Sequence, residues 1–394
     1  MESSRASSPR PARPPRVCLA SLRGVNRLAG WCSNYEFEDV IGRIEDADLL
    51  ALEPGRGYGP RQWIVKRMIW RPGLHRAVPH LNPGLKPITL DQDYDLFAFI
   101  CMNPSDLVYL GGVSGWKQRC RKKICFIVEF YSGWLVEYAH HLELLKDFDH
   151  VCLCFSGSVA GVEKAIGRPC HHVPLGADVL RFTPYPRPPV RSIDVYSMGR
   201  RSEEAHRVLL DMAARGEAFY IYDTIPGLLI QPRDHHQHRD LVANLAKRSR
   251  FFVAYPAKVD CADETRGQSE VGARFFEGAA SGAIMVGQAP TIEAFARDFP
   301  WRDAVVNLGT TAEEVVDLLA SWRKQPERAA ALHHTNAVAA LRHFDWAYRW
   351  KEMLRLAGLA PMPELLAREQ HLQQLAAAAE AAPLPVPSRT TSDV

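Results

Sequence analysis

The chain has 394 residues, 47% hydrophobic and 24% charged, with a formal net charge of +3. That length fits two or three domains of ordinary size, and the balance is that of a soluble globular protein. The charge is too small to argue for a nucleic-acid partner, and the longest apolar runs fall far short of the ~20 residues a membrane-spanning helix needs. Nine scattered cysteines, an odd total without a zinc-type CxxC pair, point to reduced thiols in a cytoplasm.

Residues 1–16 carry prolines, serines and four arginines but no apolar stretch, so they are expected to be disordered. The run 17–22 reads as the first strand. A loop with Gly24, Asn26 and Gly30 follows, and then a helix with Phe37, Val40, Ile41 and Ile44 on one face. Residues 53–87, rich in glycine, proline and arginine, show no clean period and are expected as loop, with a strand at 63–69. Further strands are expected at 96–101, 107–110, 124–131 and 151–155, with helices at 134–146 and 159–166. Alternation of this kind means a parallel α/β sheet. Glu129 lies inside the apolar run ICFIVEFY, where a carboxylate is costly unless it is paired or faces a cleft, so it is a candidate catalytic or acceptor-binding group. The basic run RCRKK at 119–123 reads as a solvated face, with an acidic acceptor or peripheral membrane contact as the alternative. Asp91-Gln92-Asp93 has the spacing of a metal motif but reads as a turn before a strand.

Prolines and loss of period over 170–192 mark a domain boundary. The run 193–197 then opens a second domain and exits at Met198-Gly199-Arg200, followed by a helix at 203–215, a strand at 218–222 and a helix at 235–247. The cluster Asp234-His235-His236-Gln237-His238 reads as a solvated helix start, and no metal is assigned, because adjacent histidines on a helix point apart. A buried strand at 251–256 leads through a long loop to a helix from Val271, capped at Gly282, and to a strand at 283–286. This crossover implies a parallel sheet whose ligands bind beyond the strands' carboxyl ends, where the loop 257–272 must lie. Gly272 lets a ligand approach the backbone, and free N–H groups of the first helical turn favour an anion. A carboxylate at Glu277, if it faces the cleft, can accept two hydrogen bonds from a vicinal diol such as a ribose. A packed helix with a solvated glutamate is the plain alternative. A helix at 291–297, a strand at 304–308 and a helix at 312–323 complete the sheet. HFDWAYRWKEMLRLAG then sets Trp346, Trp350 and Met353 on one stripe, and an alanine-rich helix ending near 382 is expected as a loose appendage.

The stretch SEVGARFFEGAASGAIMVG, residues 269–287, resembles the donor-site motif of the GT-B glycosyltransferases of family 4 ("group 1"), in particular the spore-maturation-protein-like branch, of which Arg274 is typical. VPLGAD followed by RFTP resembles the end of that family's N-terminal domain. The resemblance implies two Rossmann-like parallel-sheet domains facing across a cleft, with a C-terminal helix crossing back to the first. The divisions would be a tail at 1–16, an acceptor domain at 17–178, a linker at 179–192, a donor domain at 193–342, a crossover helix at 343–360 and a helical and disordered tail at 361–394. It gives Glu277 the ribose of a nucleotide-sugar. The family's sugar-contacting glutamate falls on Ser269, with Glu270 one place on, and Glu270 and Glu129 are the catalytic candidates. Donor contacts are implied for Gly199, Arg200, Ser269, Val271, Gly272, Ala273, Arg274 and Glu277, and Gly24 and Asn26 would face the acceptor and donor phosphates. A guanidinium at a strand's carboxyl end can grip a diphosphate bidentately. No lysine follows Arg200 at the family's spacing, which leaves Arg201, His206 and Arg207 as substitutes.

The expected activity is transfer of a sugar from a nucleoside diphosphate sugar to an acceptor, retaining and metal-independent, without a cofactor, in the cytoplasm. The alternatives are a catalytically inactive module that binds nucleotide-sugar or a partner, which Ser269 keeps open, and a sugar-nucleotide epimerase of the same architecture.

Overall fold

The computed structural model describes residues 15–71, 73–223, 230–309 and 311–384. Most of the expected N-terminal tail and the last ten residues lie outside these. In the first domain β1 (Val17–Ser21), β2 (Ala47–Ala51), β3 (Tyr94–Cys101), β4 (Cys120–Ile127), β5 (His150–Leu153) and β6 (Cys170–His172) form one parallel sheet in the order β2-β1-β3-β4-β5-β6. In the second, β7 (Ile193–Ser197), β8 (Tyr220–Tyr222), β9 (Ser249–Ala254), β10 (Ile284–Gly287) and β11 (Val306–Asn307) form another in the order β8-β7-β9-β10-β11. The central strands are nearly continuous apolar runs because helices cover both faces. In each sheet the strand order reverses beside the first strand, and a crevice opens there beyond the carboxyl ends.

The helices used below are α1 (Cys32–Ile44), α2 (Tyr58–Met68), α3 (His235–Lys247), α4 (Ala273–Ala280), α5 (Pro326–His343), α6 (Trp346–Ala357) and α7 (Pro363–Ala381). Two of the expected strands are helical instead. The segment 63–69 is helical: Val65 and Ile69, four residues apart, are buried, while Trp63 and Ile64 face outward and blur the period. Residues 107–110 lie in a 3-10 helix, Pro104–Gly112, opened by an Asn103–Asp106 capping box with proline at its first turn.

The chain crosses back at residue 344. The Ala177 N–H donates to Phe344 O (3.0 Å) and the Trp346 N–H to Ala177 O (3.1 Å). Trp346 then stacks on Phe37 of α1 with ring centres 4.5 Å apart, and the Trp350 indole donates to Glu45 (3.1 Å), so the aromatic stripe docks α6 on the first domain. Helix α7 is no loose appendage. It buries Leu365, Leu372 and Ala376, and Arg368 grips Asp178 (2.6 Å) and Asp345 (2.7 Å).

Candidate functional site

The carboxyl ends of the two sheets face one another across a cleft of about 1470 Å³. The first domain contributes Asn26 and the 28–31 loop after β1, Met102, Asn103 and Asp106 after β3, and Glu129 after β4. The second contributes 198–204 after β7, Tyr255 and 258–260 after β9, 287–289 after β10, and Arg274 of α4. Of the residues proposed from sequence, Asn26, Glu129, Gly199, Arg200 and Arg274 line this cleft, whereas Gly24, Ser269, Glu270, Val271, Gly272, Ala273 and Glu277 lie outside its lining.

The second-domain wall sets Arg200, Arg201, Lys258 and Arg274 among Glu203, Glu204 and Asp260. Gly199 takes a left-handed φ of +83° where β7 ends, and a Cβ there would lie 3.4 Å from Arg274 Nε. Arg200, about half exposed, holds Asp260 at 2.6 Å and Cys261 Sγ at 3.0 Å. Arg201 donates to Gly199 O (3.3 Å) and lies over the Tyr222 ring. His206 is buried against the Tyr220 hydroxyl (2.8 Å), and Arg207 is a solvated partner of Glu203 (3.7 Å). Of the three substitutes for the family lysine, only Arg201 is in the cleft wall.

Lys258 was missed from sequence. It sits at φ +52° just beyond β9, with its ammonium 3.3 Å from Glu129, 2.5 Å from Glu264 and 4.8 Å from the centre of the Trp134 ring. Burial works against its charge, but Glu129 and Glu264 outweigh it and raise its pKa, so it remains an ammonium. The signal was present in YPAK, a lysine directly after a buried strand. Asp106 was also missed; it accepts the Met102 (3.0 Å) and Asn103 (3.2 Å) N–H groups, and burial pushes its carboxyl up to about 6.

Behind the wall runs a buried chain of charges. Glu277 Oε1 accepts from Arg239 Nη1 (2.6 Å) and its Oε2 from Arg274. Arg239 also donates to both oxygens of Glu36 on α1, at 2.8 and 3.2 Å. Glu36, Arg239 and Glu277 are each at most 1% exposed. Burial disfavours the Glu277 charge, yet Arg274 and Arg239 overcome it and hold the carboxyl below its ordinary range. Glu277 therefore sits one layer behind the cleft, anchoring Arg274, which does line it.

Glu270 spans the domain interface. It accepts from the Ser156 (3.2 Å) and Gly157 (3.0 Å) N–H groups and from Gln268 Nε2 (2.6 Å), and burial raises its pKa. The same loop docks elsewhere on the first domain: the Ser132 N–H donates to Gln268 (2.7 Å), Trp134 Nε1 to Glu264 O (2.9 Å) and the Tyr131 hydroxyl to Ala257 O (3.1 Å). Ser269 and Gly272 are half-buried at the end of that loop, Val271 is buried, and Ala273 opens α4. A Cβ on Gly24 would lie 2.2 Å from Leu52 O, so close packing against β2's exit requires glycine there. Asn26 accepts from the Leu28 N–H (3.1 Å) and shapes the loop. At the start of α3, Asp39, His235 and His236 bring three ligand-type atoms within 4.8 Å, but Asp39 is already paired with Arg23 (3.1 Å) and the arrangement reads as a domain contact.

Residues 205–355 match the model of a family described as glycosyl transferase-like. No curated protein matches the chain. Among solved structures, the N-terminal domain of trehalose-6-phosphate phosphatase from Candida albicans is 6% identical with a TM-score of 0.53, covering 90% of this chain and 98% of that one. An alpha-glucosyltransferase solved with UDP and a 13-mer DNA containing an HMU base is 9% identical with a TM-score of 0.53, covering 87% and 99%. The alpha-glucosyltransferase solved with UDP-glucose and DNA containing an abasic site is 10% identical with a TM-score of 0.50, covering 87% and 99%. At these identities the likeness is one of fold, and the fold is GT-B. No helix among the described residues is long and apolar enough to cross a membrane.

Proposed function

We propose that the protein is a glycosyltransferase of the family 4 type that moves a sugar from a nucleoside diphosphate sugar, bound by the second domain, to an acceptor held by the first. The observation that carries this reading is the convergence of Arg200, Lys258 and Arg274, from three separate elements, on the switch-point cleft. A leaving diphosphate develops negative charge that fixed guanidinium and ammonium groups stabilise. Those cations supply the charge without a metal, and the reading needs no cofactor. Retention at the anomeric carbon, the spore-maturation-like branch and a cytoplasmic setting follow from the sequence resemblance. Glu129, in the first-domain wall and held by Lys258, is the catalytic candidate from sequence that lines the cleft, and the ion pairs of Glu277 make it a positioning residue for Arg274.

The test is a melting-temperature screen against UDP, GDP, ADP and CDP, followed by nucleotide release from the corresponding sugars. A ligand at 100 times its Kd adds about 2.7 kcal/mol of stability. Arg200→Ala is expected to weaken binding about tenfold or more, the cost of one charge-assisted contact. If no nucleoside diphosphate raises the melting temperature, the reading fails. Glu270 and Glu277, both fully engaged by protein partners, favour one second reading: a module that binds nucleotide-sugar without turnover. Binding without nucleotide release across acceptors would select it.

A further inference from the structure

We propose that α2, with the exposed side chains of Trp70, Arg71 and Leu74 beyond its end, forms a docking surface for an anionic lipid bilayer. Residues 54–90 contain seven arginines and lysines and no aspartate or glutamate. Trp63 (58% exposed) and Ile64 (49%) of α2 and Trp70 (44%) and Leu74 (48%) beyond its end are exposed, the Trp70 ring also resting edge-on to Tyr138 and His141, while Val65 and Ile69 are buried in the core. Arg61, Arg67, Arg71 and Arg76 are exposed among these apolar side chains, and the Arg67 guanidinium lies 4.6 Å over the Trp63 ring. Among the described residues Lys86 is the member of this stretch with an ion pair, to Glu53 at 2.6 Å.

The basic run at 119–123 shows what an ordinary solvated face looks like. Arg119 is matched by Asp93 (3.1 Å), Arg121 by Asp95 (3.4 Å) and Lys123 by Asp149 (3.5 Å). Among the described residues the α2 surface has no such neutralisation. Arginines interleaved with exposed tryptophan and aliphatic side chains suit an interface, where the rings enter the headgroup layer and the cations meet lipid phosphates. A nucleic acid would engage the cations and leave Ile64 and Leu74 in water. Lys66, on the same helix, lines the cleft, so a docked bilayer would lie beside the cleft mouth. A lipid-borne acceptor would follow only if the transferase reading holds; the docking itself does not depend on it.

The test uses the full chain with sedimented vesicles of phosphatidylcholine or phosphatidylglycerol. Binding to phosphatidylglycerol alone is expected, with Arg67→Gln and Arg71→Gln each weakening it about fivefold, as for about 1 kcal/mol per cation. Trp63→Ser with Trp70→Ser is expected to weaken it further and to abolish the blue shift of tryptophan emission seen with the unaltered chain. Arg119→Gln is expected to change nothing. Equal binding to both vesicles, no binding to phosphatidylglycerol, equal sensitivity to Arg119→Gln, or capture of a DNA duplex with the same variant sensitivity would each overturn the proposal. All these side chains are exposed, and an unaltered unfolding midpoint in each variant shows that folding is preserved. Loss of vesicle binding with intact nucleotide binding sinks the surface alone, and the reverse sinks the transferase reading alone.

Discussion

Two arginines of this protein, one behind the cleft wall and one in it, meet opposite physics. Arg239 is sealed between Glu36 and Glu277 with almost no water, whereas Arg200 stands in the cleft, paired with an exposed aspartate. In the sealed set each charge exists because its partners do, so removing one member strands the others. In the open set solvent replaces whatever is lost, and the charge remains available to a ligand. The difference separates residues that hold the site in shape from residues able to bind in it.

The largest test is Arg239→Met, which leaves two buried carboxylates without their counter-charge and is expected to cost about 3–5 kcal/mol in urea unfolding. Arg200→Ala in the same assay should change stability by less than about 0.5 kcal/mol. Equal losses would erase the distinction. Next is Glu277→Gln, which sets an amide donor against a guanidinium donor. Since the folded carboxyl of Glu277 lies below its ordinary 4.5, its stabilisation is present above that pH and is lost as pH falls through the depressed value. The gap in melting temperature between variant and wild type should therefore be widest near neutrality and close in acid; a constant gap would rule out the ion pair as its cause. Gly157→Ala would place a Cβ 2.9 Å from Glu270 Oε1, and is expected to cost about 1–3 kcal/mol and to expose the 257–272 loop to limited proteolysis. The smallest effect is expected for Arg119→Ala, whose aspartate partner is 83% exposed, at about 0.5 kcal/mol or less.

Much of the second domain could be read from its residues, because FFVAY, the glycine at 282 and the alanine-rich turn of α4 are local signals of strand, cap and helix. The half-buried edge strand β2, the three-residue β6 and α5, whose buried face mixes alanines with Asn336, have weak periods and were not anticipated. Within the site, Gly199, Arg200 and Arg274 could be placed in the cleft because strand exits and helix starts fix where they point. Glu277 could be put on the right helix but not on the right side of the wall. Its orientation depends on Arg239 and Glu36, distant in sequence, and no spacing rule reports such partners. Lys258 follows a buried strand directly, which is a local signal, but its partner Glu129 lies in the other domain and no spacing rule reports it.

Residue 177 and residues 344–346 are tied together by two backbone hydrogen bonds, and Arg368 clasps the aspartates on either side. The two passages between the domains thus form one double-stranded pivot. Glu36 closes the same knot, accepting from the Asp178 N–H (2.9 Å) and the Trp346 indole (3.2 Å) while it pairs with Arg239 of the second domain. A substitution at Arg368 would therefore loosen both interdomain passages at once, because one side chain serves the two aspartates that flank them.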